Sequence, residues 1–251
     1  MVLRPFKTPP STATLVPAWD AVARTQKQPD TTWWLIAQPD HADLAGDLAE
    51  RIAWTHFPAL DDELVEAIRL HDEGWAEFDM TPGTQDGRPL SFLDFLPADF
   101  LKAWRASIAR AEESSVIGGL LVSWHFRRLG EFRLRSAGDS PHDRSLVDEF
   151  LRQENEREKR LTAQQSRNGE QIASLVDALQ FCDLLSLYLC SGSREAVEFP
   201  QSFHRHTIRA KYENGLCRTS PTLFSDGVSL GVTARKCPSR NGSTTLPILL
   251  A

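Results

Sequence analysis

The sequence predicts a mainly α-helical protein, a bundle of about five to seven helices with a small C-terminal antiparallel β appendage. Between residues 40 and 191, apolar residues recur at the three- and four-residue spacing of amphipathic helices. After Gly192 the pattern changes to short runs rich in Thr, Val, Phe and Tyr. Dipeptides typical of hairpin turns separate these runs, at Asn214-Gly215, Asp226-Gly227 and Asn241-Gly242.

Three regions follow from these patterns. Residues 1–30 are rich in Pro, Thr and Ser, which predicts an N-terminal extended segment. Residues 31–195 are predicted to form a helical domain. Residues 196–251 are predicted to form a β-rich appendage packed on the same domain. An aromatic and aliphatic run at 31–37 predicts a strand. The turn-rich stretch 79–96 predicts a functional loop. The predicted helices span about 40–54, 60–73, 97–112, 113–129, 143–166 and 169–191.

Composition narrows the class of protein. Of the 251 residues, 41% are hydrophobic and 25% are charged, as in ordinary globular domains. No apolar run of about 18 residues predicts a membrane span, and the N-terminus lacks the apolar block of a secretory signal. We therefore expect a cytoplasmic protein with no membrane partner. The four cysteines show no CxxC spacing and are expected to be reduced.

The charge distribution argues against nucleic acid as the main partner. The formal net charge is -6, with 21 Lys and Arg against 31 Asp and Glu in residues 1–195, and 7 against 3 in residues 196–251. Binding to nucleic-acid phosphates requires a basic surface, which the acidic body lacks. The weakly basic tail identifies no partner. The sequence leaves open whether the protein forms a homo-oligomer.

Four predicted helices each place one polar residue on their apolar stripe. These residues are His41, His71, His125 and Asp183. Asp72 follows His71 directly, and adjacent helical residues point about 100° apart, so the two side chains can bind one cation from a single helix end. The predicted facing therefore directs four potential metal ligands toward the interior of the bundle, and Asp72 lies next to one of them.

Asp183 makes the strongest case for a bound cation. Burying an ionised carboxylate without a partner is costly, and residues 171–191 contain no Lys or Arg. Convergence of the inward polar groups on one metal site satisfies them together. Imidazoles and carboxylates suit several divalent ions (Mn, Fe, Zn, Co or Mg), one or two in number. A buried polar network without metal, or ligands that never meet, are the alternatives.

The remaining histidines do not show this pattern. His56 lies at a helix end, and His142-Asp143 follows a polar turn in which Asp143 can equally serve as a helix cap. His204 and His206 alternate in a predicted strand. We expect these side chains, and Asp177, to be exposed.

In chain order, His41, the adjacent pair His71-Asp72 and the distant Asp183 resemble the pattern of the HD superfamily of metal-dependent phosphohydrolases. The string from His71 to Gly74 matches the first four positions of the family's His-Asp-x-Gly-Lys, whereas Trp75 stands where the family has Lys. The resemblance implies an HD-domain-like helical bundle in which residues 31–195 form the metal-binding domain.

Four strings give a narrower resemblance, to a mainly bacterial family of unknown function (domain-of-unknown-function family 3891). It covers roughly residues 31–240 and implies no substrate. The strings are Gln38-Pro39-Asp40-His41-Ala42, His71-Asp72-Glu73-Gly74-Trp75, Ser123-Trp124-His125 and Asp183-Leu184-Leu185-Ser186-Leu187.

The HD resemblance implies a phosphomonoesterase or phosphodiesterase that acts on a small phosphate ester or nucleotide. Its divalent ion, held by His41, His71, Asp72 and Asp183, lowers the pKa of a bound water toward about 7. His125 then binds a second ion bridged by Asp72, or donates to a phosphate oxygen, and Glu73 relays a proton. The candidates for substrate binding are Gln38, Trp75, Arg127 and Arg128.

Two other functions remain open. Some proteins with the HD core hold a di-iron pair and activate oxygen, which requires about six protein ligands; the sequence offers five. A non-catalytic metal- or ligand-binding regulatory protein is the second alternative. It is favoured by Trp75 in place of the family Lys, and by the aromatic surroundings of the predicted pocket, Trp54, Trp75 and Trp124.

Overall fold

The computed structural model describes residues 1–7, 14–29, 32–135, 138–238 and 242–251. These residues form both α-helices and a large β-sheet. The helices are α1 (Ala18–Gln26), α2 (Gln38–Arg51), α3 (Asp62–Leu70), α4 (Ala76–Met80), α5 (Pro97–Ser114), α6 (Val116–Arg135), α7 (Pro141–Thr162) and α8 (Gly169–Ser191). The strands are β1 (Val2–Pro5), β2 (Val16–Pro17), β3 (Trp33–Ile36), β4 (Thr84–Gln85), β5 (Arg88–Pro89), β6 (Val197–Phe203), β7 (His206–Glu213), β8 (Leu216–Ser220), β9 (Val228–Cys237) and β10 (Ser243–Leu250).

Eight of the strands form one mixed sheet in the order β1-β3-β9-β10-β8-β7-β6-β2. The β10/β8 and β2/β6 pairs are parallel and the other pairs are antiparallel. Strands β4 and β5 form a separate hairpin. On β7 and β9, buried residues such as Ile208 and Val232 alternate with exposed ones, so one face of the sheet packs on the helices.

The predicted fold class, a mainly α-helical HD-domain-like bundle with a small β appendage, was wrong. N-terminal strands complete the sheet: Trp33 of β3 pairs with Cys237 of β9, and Val16 of β2 pairs with Val197 of β6. The C-terminal strands are therefore a major part of the fold. Periodicity reports only local structure and could not show pairings between residues about 200 positions apart.

The predicted N-terminal extended segment, residues 1–30, also contains regular structure. Its described residues include β1, β2 and α1. The strand predicted at 31–37 is β3, and Thr31 lies outside the described residues, as does Asn241 of the third predicted turn. The predicted loop 79–96 contains the β4–β5 hairpin and a 3-10 turn at Phe92–Asp94.

The predicted helices are confirmed as α2, α3 and α5 to α8, although α6 continues to Arg135 and α3 ends earlier, at Leu70. Local signals define α8 most clearly. Asn168 and Gln171 form a reciprocal capping box at its start, and Gly192 ends it in the left-handed conformation with φ 72°. Helix α8 is long and apolar enough to cross a membrane, but 78% of its apolar window is buried inside the fold.

Gly74 allows the turn after α3 to contact α5. A Cβ at this position would overlap the carbonyl oxygen of Ala103 and lie 2.6 Å from the backbone nitrogen of Ser107. The Gly74 N–H also donates to the Ser107 hydroxyl at 2.9 Å. This close approach fixes the chain directly after His71 and Asp72.

We predict that Gly74→Ala destabilises the protein by about 1–3 kcal/mol, because the backbone of α5 would have to move. Gly169→Ala is the matched control, since a Cβ at Gly169 would meet no atom within 4 Å. Urea denaturation of both variants measures the effect. Equal midpoints for Gly74→Ala and the unmodified protein would contradict the prediction.

Candidate metal centre

Four segments bring the predicted ligands together. His41 lies in the first turn of α2, where Ala37 is the extended N-cap residue. His71 is the C-cap residue of α3 and Asp72 precedes a 3-10 turn. Asp183 lies in the middle of α8, the most buried helix. Because α2 and α3 both pack against α8, residues far apart in the chain meet at one point.

The ligand atoms are close to one another. His41, His71 and Asp183 each offer one nitrogen or oxygen, and these atoms lie within 4.8 Å of one another. Asp72 Oδ2 lies 2.9 Å from His41 Nε2 and 3.8 Å from His71 Nε2, and His71 Nε2 lies 3.3 Å from Asp183 Oδ1. The two histidines are fully buried and the Asp183 side chain is 13% exposed. This group could hold a metal ion, with Asp72 beside it.

Hydrogen bonds fix the orientation of the His41 ring. The Ser186 hydroxyl donates to the Asp183 carbonyl oxygen at 2.8 Å, so its oxygen accepts from His41 Nδ1–H at 2.9 Å. His41 Nε2 then presents a lone pair to Asp72 Oδ2 at 2.9 Å. Two acceptor atoms at this distance require a proton or a metal cation between them.

His71 is arranged in the same way. Its Nδ1–H donates to the Ile68 carbonyl oxygen at 2.7 Å. Its Nε2 is buried and makes no well-aligned hydrogen bond with any described residue, although it faces Asp183 and Asp72. Metal-binding histidines in proteins typically donate their other N–H to a carbonyl or similar acceptor. The orphaned Nε2, together with a donor set of imidazoles and carboxylates, fits a divalent ion.

The same carboxylates control the pKa of His71. Burial alone would lower it, but the negative charges of Asp72 and Asp183 outweigh burial and raise the pKa to about 9. For Asp183, burial alone would raise the pKa, and the contact with His71 lowers it to about 2. In the absence of metal, a proton on His71 therefore supplies the positive charge at neutral pH.

His125 lies at the edge of this group. Its Nε2 is 3.9 Å from Asp183 Oδ2, beyond hydrogen-bonding distance, and its ring packs against that of His71 with centroids 5.5 Å apart. Its Nδ1 is buried without a hydrogen-bond partner among the described residues. Burial lowers the pKa of His125 to about 4, so the imidazole is neutral at physiological pH.

A cleft of about 1350 Å³ leads to these residues. Asp72, His125 and Asp183 line it, and Gln38 lies beside them. The Gln38 side chain is buried and its Oε1 has no hydrogen-bond partner among the described residues. Gln38 is thus placed where it could bind a polar group in the cleft, and its role in substrate binding stays a prediction.

The other predicted substrate and catalytic residues are placed differently. Trp75 lines the cleft but is only 2% exposed, and it packs edge-on against Phe78 and Phe95. Glu73 is not among the described residues that line the cleft, so its predicted proton relay has no geometric support. Its side chain belongs to the short 3-10 turn that follows Asp72.

The two arginines after His125 are both ion-paired. Arg127 bonds to Glu158 at 2.8 Å and to Glu131, and it is not among the described residues lining the cleft. Arg128 does line the cleft, and it bonds to Asp177 and to Gln180. Asp177 was predicted to be exposed, but it is half-buried by this pairing.

The remaining histidines are exposed, as predicted, and two of them contact His56. The His56 ring lies 5.2 Å from the rings of His204 and His206. His206 begins β7, but His204 lies in the turn between β6 and β7, not in a strand as predicted. His142 lies in the first turn of α7, and the cap of that helix is Ser140, whose side chain accepts from the Asp143 N–H. His142 is exposed and Asp143, predicted to be exposed, is half-buried; neither belongs to the ligand group of His41, His71 and Asp183.

Sequence reasoning did not single out Ser186 or Gln180. Ser186 lies three residues after Asp183 on α8, so a hydroxyl one helical turn from a predicted ligand was the available signal. Gln180 lies three residues before Asp183 on the same helix. Each residue forms a hydrogen bond with a residue on another helix, Ser186 with His41 and Gln180 with Arg128. The sequence pattern does not specify these partners.

The chain belongs to the family described as "Protein of unknown function (DUF3891)", which matches residues 25–239. No curated protein and no solved structure matches the chain. The match covers the ligand residues on α2, α3, α6 and α8, and it extends through β9.

We predict that divalent metal binding releases at least one proton at pH 7. His71, with its pKa of about 9, must lose its proton before Nε2 can bind an ion. Affinity should therefore rise about tenfold per pH unit between pH 7 and 9, then level off. Calorimetric titration with Zn²⁺ or Mn²⁺ in buffers of different ionisation enthalpy measures the number of protons released on binding. A pH-independent affinity with no proton release would rule out His71 as a ligand.

We also predict that Ser186→Ala weakens metal binding by about 10- to 100-fold, because the His41 ring loses the acceptor that orients it. Ser191→Ala is the matched control: its hydroxyl donates to the Tyr188 carbonyl oxygen on the same helix, also at 2.8 Å, away from the ligands. Measuring the metal affinity of each variant by competition with a chelator distinguishes Ser186→Ala from Ser191→Ala. Equal losses in both variants would show a general effect on α8.

Proposed function

We propose that this protein is a divalent-metal-dependent phosphohydrolase related to the HD superfamily, acting on a phosphate monoester or diester. The observation that carries this proposal is the convergence of His41, His71 and Asp183, with Asp72 beside them, next to a large cleft that Asp72 and Asp183 line. When bound, a divalent cation acidifies water and offsets the charge that develops on a phosphoryl group.

The protein's own residues have distinct roles in this proposal. His41, His71, Asp72 and Asp183 hold the ion, and Ser186 and the Ile68 carbonyl orient the two imidazoles. His125 is neutral and faces Asp183, so it can contact a phosphate oxygen or a second ion. Gln38, whose Oε1 has no hydrogen-bond partner among the described residues, lines the cleft and can position substrate, whereas Arg128 would do so only as part of its ion pair with Asp177.

The two alternatives make different predictions. A di-iron oxygenase needs additional ligands, and among the described residues only His41, His71 and Asp183 form a group within 4.8 Å. Bound iron together with oxygen consumption would favour it. Retention of a small molecule through purification, without turnover, would favour a regulatory binding protein.

We predict that Asp72→Asn lowers phosphatase or phosphodiesterase turnover by about 100-fold or more and weakens metal binding, while the fold is retained. The control is Asp143→Asn, which makes the same change in the other His-Asp pair of the chain, in the first turn of α7. Turnover on aryl phosphate monoesters and diesters with Mn²⁺, Zn²⁺, Fe²⁺, Co²⁺ or Mg²⁺ provides the assay. The proposal fails if the metal-loaded protein hydrolyses none of these esters, or if both variants behave alike.

A further inference from the structure

The cleft is larger and more apolar than a site for a compact phosphate requires. Its volume of about 1350 Å³ exceeds the roughly 300–1,000 Å³ of most small-ligand pockets. Nine Phe and Trp side chains line it. Five of them are buried in the core, and four keep accessible surface: Trp19, Phe92, Phe95 and Phe132. Because burial of apolar surface stabilises a complex by about 25 cal/mol per Å², these four side chains favour a ligand with bulky apolar groups.

Two apolar side chains of the cleft are still exposed to solvent. Phe132 on α6 is 56% exposed, and Leu15, just before β2, is 43% exposed. Large apolar side chains that face solvent and line a cleft are typical of ligand-binding grooves. An apolar group in the cleft would cover both of them while remaining connected to the ligand residues Asp72 and Asp183, which line the same cleft.

The charges of the cleft limit the charge of its ligand. Among the described residues that line it, six carry a carboxylate and four are Lys or Arg. Arg128 is paired with Asp177, and Arg133 with Asp139. The lining residues Glu131 and Glu198 are likewise paired, with Arg127 and Arg209. One divalent cation would offset only Asp72 and Asp183. The lining residues left without an ion pair among the described residues are then one carboxylate, Asp20, and two cations, Lys27 and Arg135. This balance suits a monoanion better than a dianionic phosphate or a polyphosphate.

Resting on the proposed function, we infer that the substrate is a phosphate diester, carrying one negative charge and at least one bulky apolar group, rather than a nucleoside polyphosphate or a sugar monophosphate. In the reaction, water adds to phosphorus and one ester P–O bond breaks. The departing alcohol takes one hydrogen of the water, and the remaining OH becomes part of the phosphate monoester. No redox partner is needed.

Binding of phosphate diesters to the metal-free protein tests the inference without turnover, because the proposed hydrolysis requires the metal ion. Diphenyl phosphate and dimethyl phosphate are both monoanions and differ mainly in apolar area. We expect diphenyl phosphate to bind at least about tenfold more tightly, measured by calorimetry or by fluorescence of the cleft tryptophans. ADP, with more negative charge, should bind to the metal-free protein more weakly than diphenyl phosphate.

Two matched variants test whether the preference for diphenyl phosphate arises in the cleft. Phe132→Ser should weaken diphenyl phosphate binding several-fold and leave dimethyl phosphate unchanged. Leu96→Ser removes a residue that is 65% exposed and not among the described cleft-lining residues, and should change neither.

Equal affinity for the two diesters, tighter binding of ADP, or identical behaviour of the two variants would overturn the inference. These outcomes are distinct from failure of the proposed function. If the diphenyl preference and its loss in Phe132→Ser are observed but the metal-loaded protein cleaves no ester, the cleft selects apolar monoanions and phosphohydrolase activity is refuted.

Discussion

The structure depends on the burial of two carboxylates, Asp72 and Asp183, with no Lys or Arg among their contacts in the described residues. An uncompensated buried charge is strongly destabilising, so positive charge must be present at this point. Without metal, a proton on His71 supplies it, because the negative charges of Asp72 and Asp183 raise the pKa of this buried imidazole to about 9. A divalent ion could replace that proton. The packing of α2, α3 and α8 is therefore coupled to the charge state of the centre.

The β-sheet contributes directly to the functional region. Residues Glu198 to Ser202 of β6 and the segment from Leu15 to Asp20 around β2 line the cleft together with α6. Because β2 pairs with β6, one edge of the sheet forms a wall opposite the helical wall. The helices thus position the metal-binding side chains, and the sheet edge, which a helical bundle would lack, helps to determine the size and polarity of the cleft.

The parts of the centre that the sequence could predict are those governed by helical facing. His41, His71, His125 and Asp183 each lie on an apolar stripe, and that local rule was sufficient to place them inside. The sheet could not be predicted, because its order depends on pairings such as Val16 with Val197. Nor did the adjacency of the two arginines to His125 reveal their ion pairs, whose acidic partners belong to α7 and α8.

Trp75 contributes to the apolar character of the cleft. It follows Asp72 by three residues and packs against Phe78 and Phe95 beside the candidate ligands. The two arginines that follow His125 add no unpaired charge, because Arg128 is paired with Asp177 and Arg127 with Glu158. Paired positive charge and accessible apolar surface therefore occur together in this region. Under the proposed function, a substrate would depend less on electrostatic attraction to its phosphate and more on contact between its apolar groups and the aromatic side chains of the cleft.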